Sequence, residues 1–486
     1  MLEKLKGLSS FEAFKYFREM NKIPRGSSNE KAISDWLVNF AKEHNLKVIQ
    51  DKALNIIIKK PGTKGYENAK VIIIQGHMDM VCEKNIGIEH DFEKDPIEFI
   101  VEGDVLRANG TTLGADDGIA VAFGLAVLAS EGIPHPPIEL LVTTEEETGM
   151  GGAKAIDPEN LDGRILINID SEEEGKLLVS CAGGVREKIR LKVVWEEADK
   201  SLINSSIKLG GLNGGHSGME INKERGNANK IMGRFLMDLR SVIDFKINSI
   251  NGGAKNNAIP RDAEAIILFR ENDKELVVQK LSKWNSILKN ELSSTDPDVN
   301  LVIEILSDKV NKTFSDGTAI KALQILLLIP NGVKSMSMAI EGLVQSSTNI
   351  GVLTTSEEDI IFDSAIRSSV KTLKEAICDE TIVLAEIVGA TIQFESDYPE
   401  WQYNPKSGIR TVLQKIYNDM YGKMPEISAI HAGLECALFS GKFEGKLDQI
   451  SFGPNIYDVH TPSEHLSISS TDRMWSYLVA ILKELK

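Results

Sequence analysis

The chain is poor in cysteine, short of positive charge and without a long apolar run. Its four cysteines, Cys82, Cys181, Cys378 and Cys436, stand far apart and form no CxxC pair. That excludes a disulfide framework and fits a reducing compartment. No stretch approaches the roughly 18 uncharged apolar residues of a membrane span. The longest run, Ala319–Pro330, is interrupted by Lys321. Lysine and arginine number 55 against 71 acidic residues, a net charge of −16. This balance disfavours nucleic acid and anionic membrane surfaces as partners. The opening Met1-Leu2-Glu3-Lys4-Leu5-Lys6 leads into a charged amphipathic helix rather than the apolar core of a signal segment. Hydrophobic residues at 42% and charged residues at 26% are ordinary for a globular protein. At 486 residues the chain exceeds what one core usually serves, so two domains are expected. The expectation is a cytoplasmic protein with neither nucleic acid nor membrane as partner.

Chemistry-bearing side chains stand at the ends of apolar runs. Val71–Gln75 precedes Gly76-His77-Met78-Asp79, Ile138–Thr144 precedes Glu145-Glu146-Glu147, and Arg164–Ile169 precedes Asp170. Ligands of open α/β sheets bind outside the carboxyl ends of the strands, so three such ends predict one converging site. Asp116, in the glycine-rich loop Asn109–Gly118, and His460 complete a set of nitrogen and carboxylate donors. Such donors suit zinc or a similar divalent ion. Five ligands exceed what one open catalytic zinc uses, which points to two metals sharing a carboxylate. The Asn109–Gly118 loop lacks the Gly-Lys-Ser/Thr ending of a phosphate loop and carries two carboxylates where a phosphate would sit. Side chains two apart on a strand share a face, so Asp79 is placed to hold the His77 ring. Gly214-Gly215-His216-Ser217-Gly218 is a glycine-flanked histidine, a pattern that serves a turn more often than catalysis, although the glycines allow close approach to a ligand.

The first part of the chain reads as two amphipathic helices, Ser10–Asn21 and Asn29–Asn45, with Ser10 and Asn29 as N-caps. A hairpin, Leu46–Gln50 with Asn55–Lys59, follows. From Val71 strands alternate with helices, which predicts an α/β domain with a mainly parallel sheet. Beyond Gly184 the strands lengthen, and an inserted α+β domain over residues 185–396 is expected, built from two similar halves. Residues 1–184 and 397–486 would then be two segments of one catalytic domain.

Together these segments resemble the M20 metallopeptidase family, in its aminoacyl-histidine dipeptidase branch. The likeness rests on Gly76–Val81, Gly110–Asp116, Glu146–Met150, Asn168–Glu172, Gly214–Gly218, Asn257–Arg261, His431–Glu435 and His460–Pro462. The resemblance implies that Asp116 bridges two ions, with His77 and Asp170 completing one site and Glu147 and His460 the other. It implies Glu146 as general base, Asp79 as the residue orienting His77, and His216 as a histidine of a lid domain that polarises the scissile carbonyl. Asn257 and Arg367 would bind the polar ends of the substrate, and Glu435 would contact it from the catalytic domain. Two divalent ions per chain are implied, zinc first and manganese or cobalt as alternatives. Unblocked dipeptides would be the substrates, and a homodimer is one assembly open to the chain. An N-acyl amino acid deacylase or carboxypeptidase of the same fold is the alternative, as is a non-catalytic binding module. Asn55 and Ser346-Ser347-Thr348 are left without a role.

Overall fold

The computed structural model describes residues 2–486; Met1, at the head of the expected amphipathic lead, lies outside them. Leu2–Leu5 is a single 3-10 turn ahead of helix Phe11–Met20. The chain divides into two compact units, one formed by residues up to Ser180 with Trp401–Ala429 and Leu434–Lys486, the other by Cys181–Glu400 with Ile430–Gly433.

The first unit is built on an eight-stranded mixed sheet with a parallel centre. Strand Ile72–His77 lies between Ile138–Thr143 and Ile165–Asn168, parallel to both, and Asp448–Ser451 continues the parallel run beyond Ile165–Asn168. The hairpin Lys47–Gln50 with Ile56–Lys60 adds an antiparallel edge. Ile72, Ile73 and Ile74 are each at most 1% exposed. Full burial of such a side chain stabilises by about 1.5–3 kcal/mol, so the central strands are held firmly and in register. Helix Ala115–Ala129 is buried from Ala115 through Leu128, which explains its apolar residues on every side. Helix Phe11–Met20 packs against it through Phe14 and Phe17.

Ser10 holds the N-cap position of the first helix, but its side chain makes no capping bond. The Ser10 amide and hydroxyl each donate to Asp472 Oδ1 at 2.8 Å, tying the first helix to the last, Ile468–Glu484. The second helix begins at Lys31, so the cap position falls to Glu30 rather than Asn29.

The second unit is a nine-stranded, largely antiparallel sheet with four long helices. Strands Ile203–Gly210, Phe245–Gly252, Ala263–Phe269 and Asn300–Ile305 make one half; Gly183–Lys192, Val344–Thr355, Asp359–Ser368 and Thr391–Tyr398, with Gly332–Met336 paired to Val344–Thr355, make the other. The halves meet through one register pair, Gly252 with Leu353. Helices Ala228–Leu239, Lys274–Glu291, Asp316–Leu328 and Lys371–Val388 contribute to a single apolar core with these strands. Two strands, Ala258–Ile259 and Ala263–Phe269, stand on either side of Pro260, which supplies no amide for the ladder. Among the described residues no helix is long and apolar enough to cross a membrane.

Candidate active site

His77 ends the central strand and is 1% exposed. Its Nε2 lies 3.1 Å from Asp116 Oδ1 and 3.8 Å from Asp170 Oδ1. His460 Nε2 lies 3.1 Å from the other Asp116 oxygen and 3.0 Å from Glu147 Oε2. The five expected ligands therefore fall into two groups, His77–Asp116–Asp170 and Asp116–Glu147–His460, which share Asp116. Within each group the donor atoms lie within 4.8 Å of one another.

This donor set fits a pair of divalent ions. Glu147 Oε1 is buried without a hydrogen-bond partner, and buried carboxylates are costly unless paired. Burial would raise the Asp116 carboxyl, yet the His460 and His77 imidazoles hold it below the usual range. Burial and then the charge of Asp117 push Asp170 well above it. Hydrogen bonds to Asp116 and Glu147 push the His460 ring up to about 10. The cluster thus crowds together more acidic groups than two imidazoles can keep ionised.

Asp79 does more than face the His77 ring. His77 Nδ1 is 3.2 Å from the Asp79 carbonyl oxygen and 3.4 Å from its carboxylate. The two carboxylate oxygens also accept the amides of Glu146 and Glu147, at 3.1 and 3.2 Å. Asp79 so fixes the turn that follows strand Ile138–Thr143. The same turn is held from outside the sheet. Glu30 accepts the Glu145 amide at 3.1 Å, and Asn55 Oδ1 accepts the Thr144 amide at 3.2 Å. Asn55 Nδ2 also reaches Asp51 and the Gly152 carbonyl, which makes it the clasp between the hairpin turn and this segment. Glu146 is raised to about 7, first by burial and then by Glu147 and Asp116, with His77 pulling the other way.

Glu435, expected to contact substrate, is 1% exposed. Its Oε2 accepts from Gln75 Nε2 at 2.6 Å and Thr143 Oγ1 at 2.8 Å, while Asn168 donates to Gln75 at 2.7 Å. Because helix Glu435–Lys442 starts there, the carboxyl points into the interior. It ties together the three strands whose ends carry His77, Glu146 and Asp170.

In the second unit, Gly215–His216 pairs with Ala258–Ile259, and Ser217 N donates to Asn257 O at 2.9 Å. His216 Nδ1 accepts the amides of Gly218 and Met219, at 3.2 and 3.0 Å. The proton of the neutral ring is therefore on Nε2, and burial, then the charge of Arg367, keeps the ring neutral by lowering its pKa. Arg367 Nη1 donates to Tyr398 Oη at 3.0 Å, and its buried Nε has no partner. A Cβ on Gly218 would stand 2.4 Å from the His431 carbonyl oxygen, 3.1 Å from the His216 ring and 3.2 Å from Arg367 Nε. Only glycine fits where these groups converge. His216 and exposed Asn257 line a cleft of ≈ 1170 Å³ with Lys208, Arg261 and Glu264.

Sequence reasoning missed three groups here. Tyr398 partners Arg367, and buried His431 meets Ser347 Oγ through Nε2 at 2.7 Å. Burial drives the His431 ring down to about 3, so it is neutral. Ser347 gave no signal beyond its polar triplet; His431 stood in a quoted motif, though without a role.

The fold and the paired donor groups define a two-metal hydrolase site. The chain matches the family described as Peptidase family M20/M25/M40 over residues 73–484, and it belongs to that family. It is 36% identical over 485 residues to the cytosol non-specific dipeptidase of Escherichia coli (strain K12), covering 100% of this chain and 99% of that protein. The crystal structure of aminoacylhistidine dipeptidase from Vibrio alginolyticus superposes with a TM-score of 0.95 at 36% identity, covering 99% and 98% of the two chains. Aminopeptidase PepT from Bacillus cereus shares the fold at 15% identity, with a TM-score of 0.56 and coverage of 98% and 99%.

Proposed function

We propose that this chain is a metal-dependent dipeptidase that hydrolyses the peptide bond of unblocked dipeptides, Xaa-His among them. The observation that carries it is the pair of donor groups sharing Asp116, with Glu146 beside them. Full-length likeness to a dipeptidase supports the substrate class.

His77, Asp116 and Asp170 would hold one ion and Asp116, Glu147 and His460 the other, zinc first and manganese or cobalt as alternatives. When bound, such ions lower the pKa of water from about 15.7 toward about 7 and polarise the substrate carbonyl. Glu146 takes the proton of the attacking water and returns it to the departing amine; a carboxyl group near pH 7 is matched to both transfers. Asp79 keeps the Glu146 turn at a fixed distance from His77. His216 donates from Nε2 to the oxygen that gains charge, and its two backbone partners hold the ring in the required tautomer. Arg367 grips the terminal carboxylate, with Tyr398 bracing the guanidinium, and Asn257 binds a polar end of the substrate. This chemistry requires the second unit to act as a lid that delivers His216 and Arg367 to a substrate held by the first. A cytoplasmic location follows the kinship, and a homodimer remains one assembly to test.

The test is catalytic efficiency across dipeptides, tripeptides, amidated dipeptides and N-acetyl amino acids, with metal content measured on the same preparation. Dipeptides should be cleaved fastest, because an extra residue misplaces a charge or leaves a buried polar group unpaired, at about 1–3 kcal/mol. Preference for N-acetyl amino acids would make the chain a deacylase, and trimming of long peptides would make it a carboxypeptidase. Full activity without metal would end the proposal.

A further inference from the structure

Asp116 belongs to both donor groups, so the backbone beneath it sets the geometry of the whole centre. That backbone is gripped by one carboxylate. Glu464 Oε2 accepts the amides of Leu113 and Gly114 at 2.8 and 3.1 Å, and Oε1 accepts those of Ala115 and Asp116 at 2.7 and 3.4 Å. Four successive peptide N–H groups turned inward form an anion-binding concavity. Here its anion is a side chain, 3% exposed. From the other side, Arg25 Nη2 donates to the Gly114 carbonyl at 2.6 Å while Nη1 donates to the carbonyl of Met78 at 2.9 Å.

Glu464 stands at the end of a turn that also carries His460. Its amide donates to the Thr461 carbonyl at 3.0 Å, and His460 occupies the left-handed region with φ 62. One residue therefore links the Asp116 loop to the His460 turn, two segments more than 300 residues apart. With the four amides engaged by Glu464, both Asp116 oxygens stay directed at the imidazoles, at 3.1 Å each. Without it, the same concavity would compete for the Asp116 carboxylate.

We propose that Glu464 is a positioning residue for the metal centre, holding Asp116 and His460 at the separation that the Asp116–Glu147–His460 group needs. The proposal rests on the two-metal function argued above. Its prediction is selective. The group that includes His460 loses the placing of two members, Asp116 and His460, and should weaken most, whereas His77 and Asp170 sit at their own strand ends and their group loses only the placing of Asp116.

The experiment compares wild type, Glu464→Gln, Glu464→Asp and Glu139→Gln as full-length proteins, titrated with zinc against a chromophoric chelator, with cobalt spectra as a second readout. Glutamine offers one accepting oxygen and turns N–H groups toward amides, so half the concavity loses its acceptor. Glu464→Gln should bind one ion about 10–100-fold more weakly, the usual effect of losing a residue that orients ligands, and the other with a clearly smaller loss. Its kcat should recover as metal is added, with KM unchanged, and Glu464→Asp should lie between the two. Glu139 is the control: also buried, it accepts the Asp162 and Gly163 amides at 3.0 and 2.9 Å, away from the ligands. Glu139→Gln should lower thermal stability and leave both metal affinities alone. Unchanged affinities in Glu464→Gln, or equal metal loss in Glu139→Gln, would overturn the proposal. Should Glu464→Gln not accumulate as folded protein, Glu464→Asp decides on the same metal readout. A wild-type protein that binds no metal would instead reject the function on which the proposal rests.

Discussion

The two units hold their functional side chains in different ways. In the first, His77, Asp79 and Glu435 are each at most 1% exposed; Asp79 accepts two amides of the turn after strand Ile138–Thr143, and Glu435 accepts from Gln75 and Thr143 on two parallel strands. In the second, His216 and Asn257 lie on short strands and loops, Asn257 is exposed, and Arg367 keeps a buried Nε free. Under the proposed function the difference follows from what each would recognise. An ion tolerates little error in ligand position, so its donors sit on rigid elements with supporting contacts. A peptide varies in side chain, and under the proposed function two of its readers, His216 and Asn257, stand on a short strand and a loop, while Arg367 is on strand Asp359–Ser368.

The largest test of this contrast lies in the first unit. Glu146→Gln should keep both ions and lose about 10²–10⁴-fold in kcat, since an amide cannot take a proton. Asp116→Ala should lose activity and metal together, because each donor group loses a member. Metal analysis beside the kinetics separates the two outcomes. A Glu146→Gln enzyme with near-normal turnover would remove the base from the mechanism.

His216→Ala comes next, with kcat lower by about 10²–10³ and metal content unchanged, as expected when an oxyanion donor is removed. Loss of metal in this variant would blur the division between ion-holding and substrate-reading units. Arg367→Ala is gentler. A hydrogen bond to a charged group contributes about 1.5–3 kcal/mol, so kcat/KM for dipeptides should fall by roughly 10- to 100-fold. Amidated dipeptides should lose much less, and an equal loss for both would deny Arg367 a role in reading the carboxylate.

The same contrast explains what could be read from the sequence. The candidate ligands were legible because each follows an apolar run or stands in a short polar motif, as with His77 and Asp116. The residues that hold them were not. Glu464 acts on amides about 350 positions away, and Arg25 and Glu30 act across 89 and 115, so no local spacing betrays them. Glu435 stood in a recognisable motif, yet its direction depends on where helix Glu435–Lys442 begins. In the second unit, strand Val344–Thr355 was obscured by Ser346-Ser347-Thr348, all buried and polar. Strand Phe245–Gly252 alternates weakly and contains a bulge between Ile247 and Ser249.

Buried carboxyl groups give the smallest and most pointed test. In the first unit they crowd into a site that suits cations, whereas Glu187, in the core of the second, has none beside it. Glu187 is 0% exposed on strand Gly183–Lys192, and neither oxygen has a partner at full hydrogen-bonding geometry. Burial raises its carboxyl to about 7, and the hydroxyls of Thr381 and Ser364 offset only part of that. Its pKa is higher folded than unfolded, so the neutral group is the one the fold accepts. Below the unfolded value of 4.5 both states are protonated and folding carries no penalty. Between there and about 7 the penalty grows, and above it levels off at about 3 kcal/mol. Glu187→Gln should therefore raise the urea midpoint at pH 8 and change it little at pH 4.5, with kcat unaffected at either. A gain of equal size at both values would mean that ionisation of Glu187 is not its source, and a loss at pH 8 would mean that Glu187 is ionised in the fold, held by a partner as the carboxylates of the first unit would be by their ions.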